Sequence, residues 1–507
     1  MDASASNLRM ALVYAVAMIL SLWVGFAVVT PQSFLSMVSV TLMLLVLSLP
    51  FLLRWHHALV ICTWNAVFIS FFLPGKPPLW VVLAGLSLGI AIVTRTLRAK
   101  SEFLHVRAVA LPLLLLAAVL VVTISLRGFG GRAFGSELWG GKRYLGVVGA
   151  ILGYFALTAQ RIPRNQAELM TSLYFLSGTT AVISDLAFAF GPGFYFLFLL
   201  VPTELAVAQA STQDTLMRLT GIAWMAQAGN WFMLMRYGIR GMLEVRHAWR
   251  AAVFVTLFLA GLFGGFRSSI ILMCILFATQ FWFERLLRTK FFPIALVCAL
   301  SVGLFIVGYA EKLPLSVQRS LSFLPIDVHP TARQDALGTL DWRLQMWRVV
   351  IQEVPQYLLL GKGYTFSGTD YLLMQESIRR GMFTSYEDTL VSGNYHNGIL
   401  TLLVPFGLPG AVAFACFLFA SWRVLRRNYL YGDADLKNIN TFLIAYFSAR
   451  LLFYLSFYGQ FDLDLMVFTG VVGLSISING GVKSPPSQVP TKALASVPQR
   501  EPQAASV

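Results

Sequence analysis

The sequence predicts an all-α fold, a polytopic transmembrane helical bundle with one large periplasmic loop between late helices. Of its 507 residues, 57% are hydrophobic and only 12% are charged, and the mean hydropathy is +0.71, beyond the apolar content of ordinary soluble domains. Short alternating strands of the β-barrel type are absent from the sequence, so helices are the elements that satisfy backbone groups in lipid. The cations behind the net charge of +15 fall between apolar runs, where they indicate topology and not nucleic-acid binding.

Apolar runs recur along the chain, each close to the ~20 residues that one helical crossing needs. We predict about 12 to 15 segments, from the runs 10–29, 34–53, 57–73, 79–95, 107–126, 143–160, 168–188, 191–209, 217–236, 249–265, 268–284, 291–310, 396–422, 439–457 and 462–479. Cationic clusters mark the cytoplasmic loops, at Arg54; Arg95, Arg98, Lys100 and Arg107; Arg161 and Arg164; Arg236, Arg240, Arg246 and Arg250; Arg285, Arg288 and Lys290; and Arg423, Arg426 and Arg427. Between 165 and 235 three runs must give an even number of crossings, so either 191–209 or 217–236 is re-entrant or interfacial.

This orientation divides the chain into four parts. They are an N-terminal transmembrane helical body (1–310), a large periplasmic loop with short helices (311–395), C-terminal transmembrane helices (396–480) and a disordered cytoplasmic tail (481–507). The tail is rich in Pro, Ser and Ala and is too polar to bury a core.

The large loop contains one strong helical signal, the segment Asp341–Val354. Its apolar residues recur at helical spacing and predict an amphipathic helix, with Leu344, Trp347, Val350, Ile351 and Val354 on the apolar face. A turn punctuated by glycines follows over Leu359–Gly368.

Two histidines, His329 and His396, fall on the outward side of the predicted topology, where an imidazole is suited to acid/base chemistry. His396 ends the large loop and begins a membrane helix, a place where water is scarce and a base can be held rigidly. The alternative is that His396 and Asn397 only cap that helix, because Asn is a good N-cap residue.

Arg267 interrupts a long apolar stretch, and a charge inside a helical bundle is costly and usually functional. The predicted topology places Arg267 on the same side as His396. The alternative is that Arg267 lies in a connector between helices and that its side chain reaches lipid phosphates.

Arg218 lies on the same side as Arg267 and His396 if the run 217–236 crosses the membrane, and is otherwise an ordinary interfacial charge. In the large loop, Arg343 lies one helical turn before Trp347.

Cofactors and metals are not indicated. The outward side carries no cysteine cluster and no histidine pair at ligand spacing, so we predict no metal site. Its glycine-rich stretches lack the strand context and the Lys-Ser/Thr ending of nucleotide-binding loops. All four cysteines lie inside apolar runs, which makes a disulfide scaffold improbable.

The order of these features resembles the O-antigen ligase and O-antigen polymerase superfamily of bacterial inner membranes. The matching motifs are Arg218 to Gly221 as R-x-x-G; Arg267-Ser268; Arg343, Trp347, Gly361 and Gly363 in the loop; and His396, Asn397, Leu400, Leu403, Gly407 and Gly410 as an extended His-Asn motif. Two departures stand out. Many relatives carry an acidic residue in the helix after the His-Asn pair, where this chain has the apolar stretch 402–407 with Pro405, which should kink the helix. The segment count is also above the dozen usual in the family.

The resemblance implies metal-independent glycosyl transfer without a cofactor, from a polyprenyl (undecaprenyl) diphosphate carrier to an acceptor hydroxyl of a glycan or a lipid A-core-like molecule, at the periplasmic face of the inner membrane. His396 and Arg267 are then the catalytic residues, and Arg218, Asn397, Arg343 and Trp347 bind substrate. Membrane lipids surround the protein. The alternatives are a polymerase of the same superfamily and, in a different class, a lipid-linked glycan transporter. The sequence halves show no duplication, which favours the enzyme.

Overall fold

The computed structural model describes residues 2–29, 34–97, 103–131, 136–202, 218–380 and 387–485. Its α-helices are α1 (Asp2–Val29), α2 (Phe34–Thr63), α3 (Leu79–Leu97), α4 (Arg107–Arg127), α5 (Gly141–Thr158), α6 (Ala167–Leu176), α7 (Val182–Ala189), α8 (Thr220–Met242), α9 (Ala248–Leu262), α10 (Arg267–Phe283), α11 (Phe291–Tyr309), α12 (Leu315–Leu321), α13 (Pro330–Tyr357), α14 (Gly368–Arg379), α15 (Glu387–Ser392), α16 (Gly398–Tyr431), α17 (Lys437–Ser456) and α18 (Phe461–Asn479). The described strands are β1 (Leu138–Trp139) and β2 (Phe366–Ser367), which pair antiparallel. The predicted all-α class is confirmed.

Short 3₁₀ helices connect several of these elements. They are Arg164–Gln166, Ser177–Ala181, Pro192–Leu199, Val245–His247, Leu286–Arg288, Ala310–Lys312 and Ala434–Leu436. The 3₁₀ helix Pro192–Leu199 occupies the start of the apolar run 191–209, and the end of that run, like the tail from residue 486 onward, lies outside the described residues.

Nine stretches in the described part of the chain are long and apolar enough to cross a membrane, which confirms a polytopic membrane protein. They are Val38–Thr63, Leu79–Leu97, Arg107–Arg127, Arg164–Ala189, Val245–Leu262, Phe291–Lys312, Gly398–Tyr431, Ala434–Ser456 and Phe461–Asn479. The runs 34–53 and 57–73 do not form two crossings. They share the single helix α2, which ends at Thr63, and the chain then turns back through a bridge between Ile69 and Pro78.

Helix α18 lies in the core of the bundle, and nearly all of its side chains are buried. It packs on α5 and α16. Its first turn carries Asp462 and Asp464, where carboxylates are favoured by the helix dipole. Asp462 pairs with Arg143 of α5 at 3.0 Å, and Asp464 pairs with Arg450 of α17 at 2.6 Å. These pairs join three helices at one end of the bundle.

The segment after α11 folds into helices, of which α13 is far longer than the predicted Asp341–Val354. Val350 packs with Met346 against Tyr395 and α16. Two residues of the predicted apolar face, Leu344 and Ile351, are instead 42% and 58% exposed. That part of the prediction was wrong because α13 buries a narrow stripe centred on Met346 and Val350, and the spacing alone allowed a wider one.

Helix α16 is broken where Pro405 predicted a kink. Gly407 has φ 63°, outside the helical range. The break frees backbone groups that the glycine turn of the large loop then satisfies: Val404 O accepts from Lys362 N at 2.8 Å and Pro405 O accepts from Gly363 N at 3.0 Å. The turn is therefore fastened to the start of the same helix that follows His396.

We expect Gly361→Ala to destabilise the protein. Gly361 has φ 68°, and an added Cβ would overlap the carbonyl group of Pro405. The left-handed backbone and the overlap together should cost about 2–5 kcal/mol of unfolding free energy. The measurement is the thermal unfolding midpoint of the purified protein in detergent.

Gly338→Ala is the matched control, since Gly338 lies in α13 with no atom within 4 Å of an added Cβ. It should raise stability by about 0.5–1 kcal/mol, because alanine favours a helix over glycine. Equal midpoints for the two variants would show that the turn does not need glycine at Gly361.

Candidate active site in a cationic cavity

A cavity of about 580 Å³ brings together four of the six residues singled out from the sequence. Arg218 precedes α8, Arg267 begins α10, Arg343 lies in α13 and His396 precedes α16. All four side chains line this one cavity. Its size suits a small part of a larger substrate, and its lining comes from distant parts of the chain.

Five arginines line the cavity, because Arg319 and Arg450 join the three predicted ones. Asp335 contacts two of them, Arg319 at Nε and Arg218 at 3.5 Å. Arg450 is paired with Asp464 through the ion pair already described. Two carboxylates, Asp335 and Asp464, thus pair with three of the five guanidinium groups. The cavity therefore keeps an excess of positive charge.

Arg343 and Arg218 each have a buried Nε without a hydrogen-bond partner in the described structure. Arg343 contacts no carboxylate among the described residues, and its Nε is buried without a hydrogen-bond partner. Burial lowers the pKa of Arg343. Burial, followed by the charge of Arg319, lowers the pKa of Arg218 to about 10. A bound anion would relieve this unfavourable crowding of like charges.

Arg267 is oriented by the backbone of the large loop. Its Nη2 donates to the carbonyl of Ala336 in α13 at 2.7 Å. Arg267 is also the first residue of α10, and the N-terminus of a helix carries a partial positive charge. The arginine is thus held at the cavity by a contact that leaves the rest of its guanidinium group available.

His396 has a backbone conformation that is uncommon for a residue other than glycine, with φ 49°. Its ring lies against Trp342 and Tyr458, with ring centres at 5.3 and 5.4 Å. Its Nδ1 atom is buried and has no hydrogen-bond partner in the described structure. Burial, then the charges of Arg343 and Arg143, lower the pKa of His396 to about 4, so the free imidazole is neutral at pH 7.

Hydrogen bonds on both sides hold His396 in this conformation. On one side, Trp347 Nε1 donates to the carbonyl oxygen of the buried Tyr395 at 2.7 Å. On the other, the side chain of Asn397 accepts from Leu400 N at 3.1 Å and caps α16. Trp347 and Asn397 are absent from the lining of the cavity. Their contacts position the histidine, and a direct substrate contact by either stays a prediction.

We expect Trp347→Phe to slow the reaction and leave substrate binding nearly unchanged. Phenylalanine keeps the ring in the apolar cluster and removes the N–H that anchors Tyr395. Losing one such hydrogen bond should lower kcat about tenfold, with little change in KM for the donor. Steady-state kinetics would detect this split. The control is Trp249→Phe, which changes an exposed tryptophan near the start of α9 that does not line the cavity. An equal loss in both variants would contradict the positioning role.

Sequence reasoning missed Arg319 and Arg450. Arg450 interrupts the apolar run 439–457, so the rule that selected Arg267 could have selected it. Arg319 gives no comparable signal, because it lies in a polar loop and enters the cavity through the packing of α12 against α13, α10 and α9. No group of three or more His, Cys, Asp or Glu side chains able to hold a metal ion occurs among the described residues.

The fold and the site define a polytopic helical membrane protein with a strongly cationic cavity beside a neutral histidine. A comparison with protein families matches residues 252–415 to the family model described as O-Antigen ligase. The matched stretch contains Arg267, Arg319, Arg343 and His396. This match confirms the predicted resemblance to the O-antigen ligase superfamily and supports glycosyl transfer of the broad ligase or polymerase type. A comparison with curated proteins finds no match.

Proposed function

We propose that this protein transfers a glycan from a polyprenyl diphosphate carrier, of the undecaprenyl type, to an acceptor hydroxyl at the periplasmic face of the bacterial inner membrane. The observation that carries the proposal is the single cavity in which His396 and five arginines meet. A diphosphate is the charged part of such a donor, and the cavity supplies the opposite charge next to a group able to accept a proton.

The arginines suit the diphosphate for two reasons. Guanidinium groups bind phosphate oxygens through charge-assisted, often bidentate, hydrogen bonds. They also stabilise the negative charge that grows on the leaving group as the glycosyl bond breaks. Arg343 and Arg218 have buried donors without partners, and Arg267 is fixed by Ala336. Arginine side chains thus supply the positive charge that a metal ion supplies in other enzymes.

The bond changes follow from the position of His396. The acceptor hydroxyl gives its proton to the imidazole, its oxygen forms a bond to the anomeric carbon, and the bond from that carbon to the diphosphate oxygen breaks. The electron pair of that bond leaves with the polyprenyl diphosphate. Attack from the side opposite the leaving group inverts the anomeric configuration. Positive charge that forms on His396 is balanced by the diphosphate nearby.

Apolar residues at the edge of the cavity suit a lipid-linked donor. Trp224 and Leu463 line the cavity and remain 44% and 53% exposed on the described surface. Trp224 lies in α8 and Leu463 in α18. A polyprenyl chain in the bilayer can therefore contact apolar side chains while its diphosphate reaches the arginines.

The low pKa of His396 predicts an unusual pH profile. An ordinary histidine loses its function as a base below pH ~6.5. Because the pKa of free His396 is about 4, kcat/KM for the donor should stay level from pH 7 down to about 5 and fall near pH 4. The rate at saturating donor should fall at a higher pH, because the bound diphosphate stabilises the imidazolium. A single midpoint near 6.5 in both profiles would contradict this environment for His396.

The experiment that tests the proposed activity is a profile of surface glycan and lipid-linked intermediates in the native host carrying His396→Ala. Membrane abundance of the variant is checked first. Loss of surface glycan with long polymer left on the carrier supports a ligase. Single repeat units left on the carrier support a polymerase. Unchanged profiles with normal protein abundance would overturn the proposed function.

A further inference from the structure

A second cavity, of about 830 Å³, lies at the opposite end of the helices that form the candidate active site. Helices α8, α10 and α16 begin beside the first cavity and reach the second near their last turns, and α17 runs in the reverse direction. The 23 residues of α8 correspond to a length of ~35 Å. The two cavities are therefore separated by about the thickness of a bilayer.

Four cations line this second cavity, and they are not paired. Arg240, Arg285, Lys290 and Lys437 all face it, and none of them forms an ion pair with a carboxylate in the described parts of the chain. Structural ion pairs therefore do not explain why they converge.

The two carboxylates in the cavity already have partners. Glu284 accepts from the backbone N–H groups of Ile239 and Arg240, at 2.8 and 3.0 Å, where α8 is broken at Gly238. Glu244 contacts His247 at 3.4 Å. These contacts occupy both carboxylates. The four cations therefore remain able to bind an anion.

Arg285 occupies a backbone position that glycine would normally fill. It follows the end of α10 with φ 58°, the left-handed conformation that usually ends a helix with glycine. A long cationic side chain at such a position costs conformational energy, and such strain points to a functional requirement. Placing a cation in the lining of the second cavity would be such a requirement.

The surface around the second cavity is apolar and exposed. Trp282, Leu287 and Phe292 flank it and are 65%, 47% and 46% exposed. Helix α11, which begins at the cavity, has few buried residues and lies at the edge of the bundle. A ligand bound here would have its charged part among the cations and an apolar part along the lipid-facing surface.

We propose that this second cavity binds the phosphodiester headgroup of an anionic phospholipid. The lipid phosphate would accept hydrogen bonds from Arg240, Arg285, Lys290 and Lys437, and its acyl chains would lie along the exposed apolar side chains of α10 and α11. Basic pockets between membrane helices are suited to such headgroups. This site does not depend on the activity proposed for the first cavity.

The test uses the purified full-length protein in a neutral detergent. Native mass spectrometry measures binding of dioleoyl phosphatidylglycerol, of dioleoyl phosphatidylcholine, and of phosphatidylglycerol with excess inorganic phosphate. We expect one molecule of phosphatidylglycerol to bind per protein, with a higher affinity than phosphatidylcholine. In the double variant Arg285→Gly, Lys290→Gln its affinity should fall about fivefold for each cation removed. The glycine also relieves the backbone strain at this position, so the variant is expected to fold.

The matched control is the double variant Arg246→Gln, Arg288→Gln. It removes the same charge from neighbouring segments, and neither residue lines the cavity. Unchanged affinity in this control supports the proposal. Three results would overturn it: an equal loss in both double variants, equal binding of phosphatidylcholine, or full displacement of the lipid by inorganic phosphate, which would indicate a site for a soluble anion.

Discussion

His396→Ala should lower kcat/KM for glycan transfer by about 10²–10⁴, the usual contribution of a positioned general base. The imidazole is neutral and buried beside the arginines of the cavity, so its loss leaves no other described histidine on that lining. The measurement is transfer from a purified lipid-diphosphate-linked glycan by the protein in proteoliposomes. Thermal unfolding of the variant is measured alongside, to separate lost chemistry from lost structure.

The matched control is His329→Ala, which removes the other histidine of the large loop. The ring of His329 only caps α13, where its Nδ1 accepts from Thr331 N at 3.3 Å. We expect a stability loss of at most ~1 kcal/mol and unchanged transfer. Equal activity of the His396 and His329 variants would exclude His396 as the base.

Arg343→Gln should lower kcat/KM by about 10²–10³, as expected when a donor to a developing negative charge is removed. Glutamine keeps part of the side-chain volume and hydrogen-bonding capacity but carries no charge. Because the charge of Arg343 lowers the pKa of His396, this variant should also shift the acid limb of the pH profile to a higher pH. A structural role alone would not produce that shift.

Arg348→Gln is the control for Arg343. Arg348 lies on the same helix, is exposed and does not line the cavity. We expect its activity to match that of the wild type. If both variants lose activity equally, general loss of positive charge on α13 would explain the effect, and the specific role of Arg343 would be wrong.

The sequence predicted the class of fold and most of the site because both depend on strong local signals. Apolar runs near the length of a bilayer crossing indicate helices whatever their neighbours. A charge in an apolar context, as at Arg267, is costly enough to be informative by itself. The convergence of Arg218, Arg267, Arg343 and His396 followed from assigning them to one side of the membrane.

Other features depend on packing that no short stretch of sequence contains. Arg319 reaches the cavity because α12 packs on α13, α10 and α9. Trp347 was predicted to bind substrate, yet its indole contacts the carbonyl of Tyr395, a partner that lies far along the chain. The apolar run 57–73 looked like a crossing, but proline and glycine residues after Thr63 turn the chain back. In each case the tertiary partner decides the role of the residue.

The most direct test of the proposed transfer follows both products in one reaction. Proteoliposomes containing the protein receive a polyprenyl-diphosphate-linked glycan and a glycan acceptor on the same side of the bilayer, and glycosylated acceptor and released polyprenyl diphosphate are both quantified. We predict equal amounts of the two products with the wild type and neither with His396→Ala. Movement of intact donor across the bilayer with no bond cleavage would contradict the proposed enzyme and indicate a transporter.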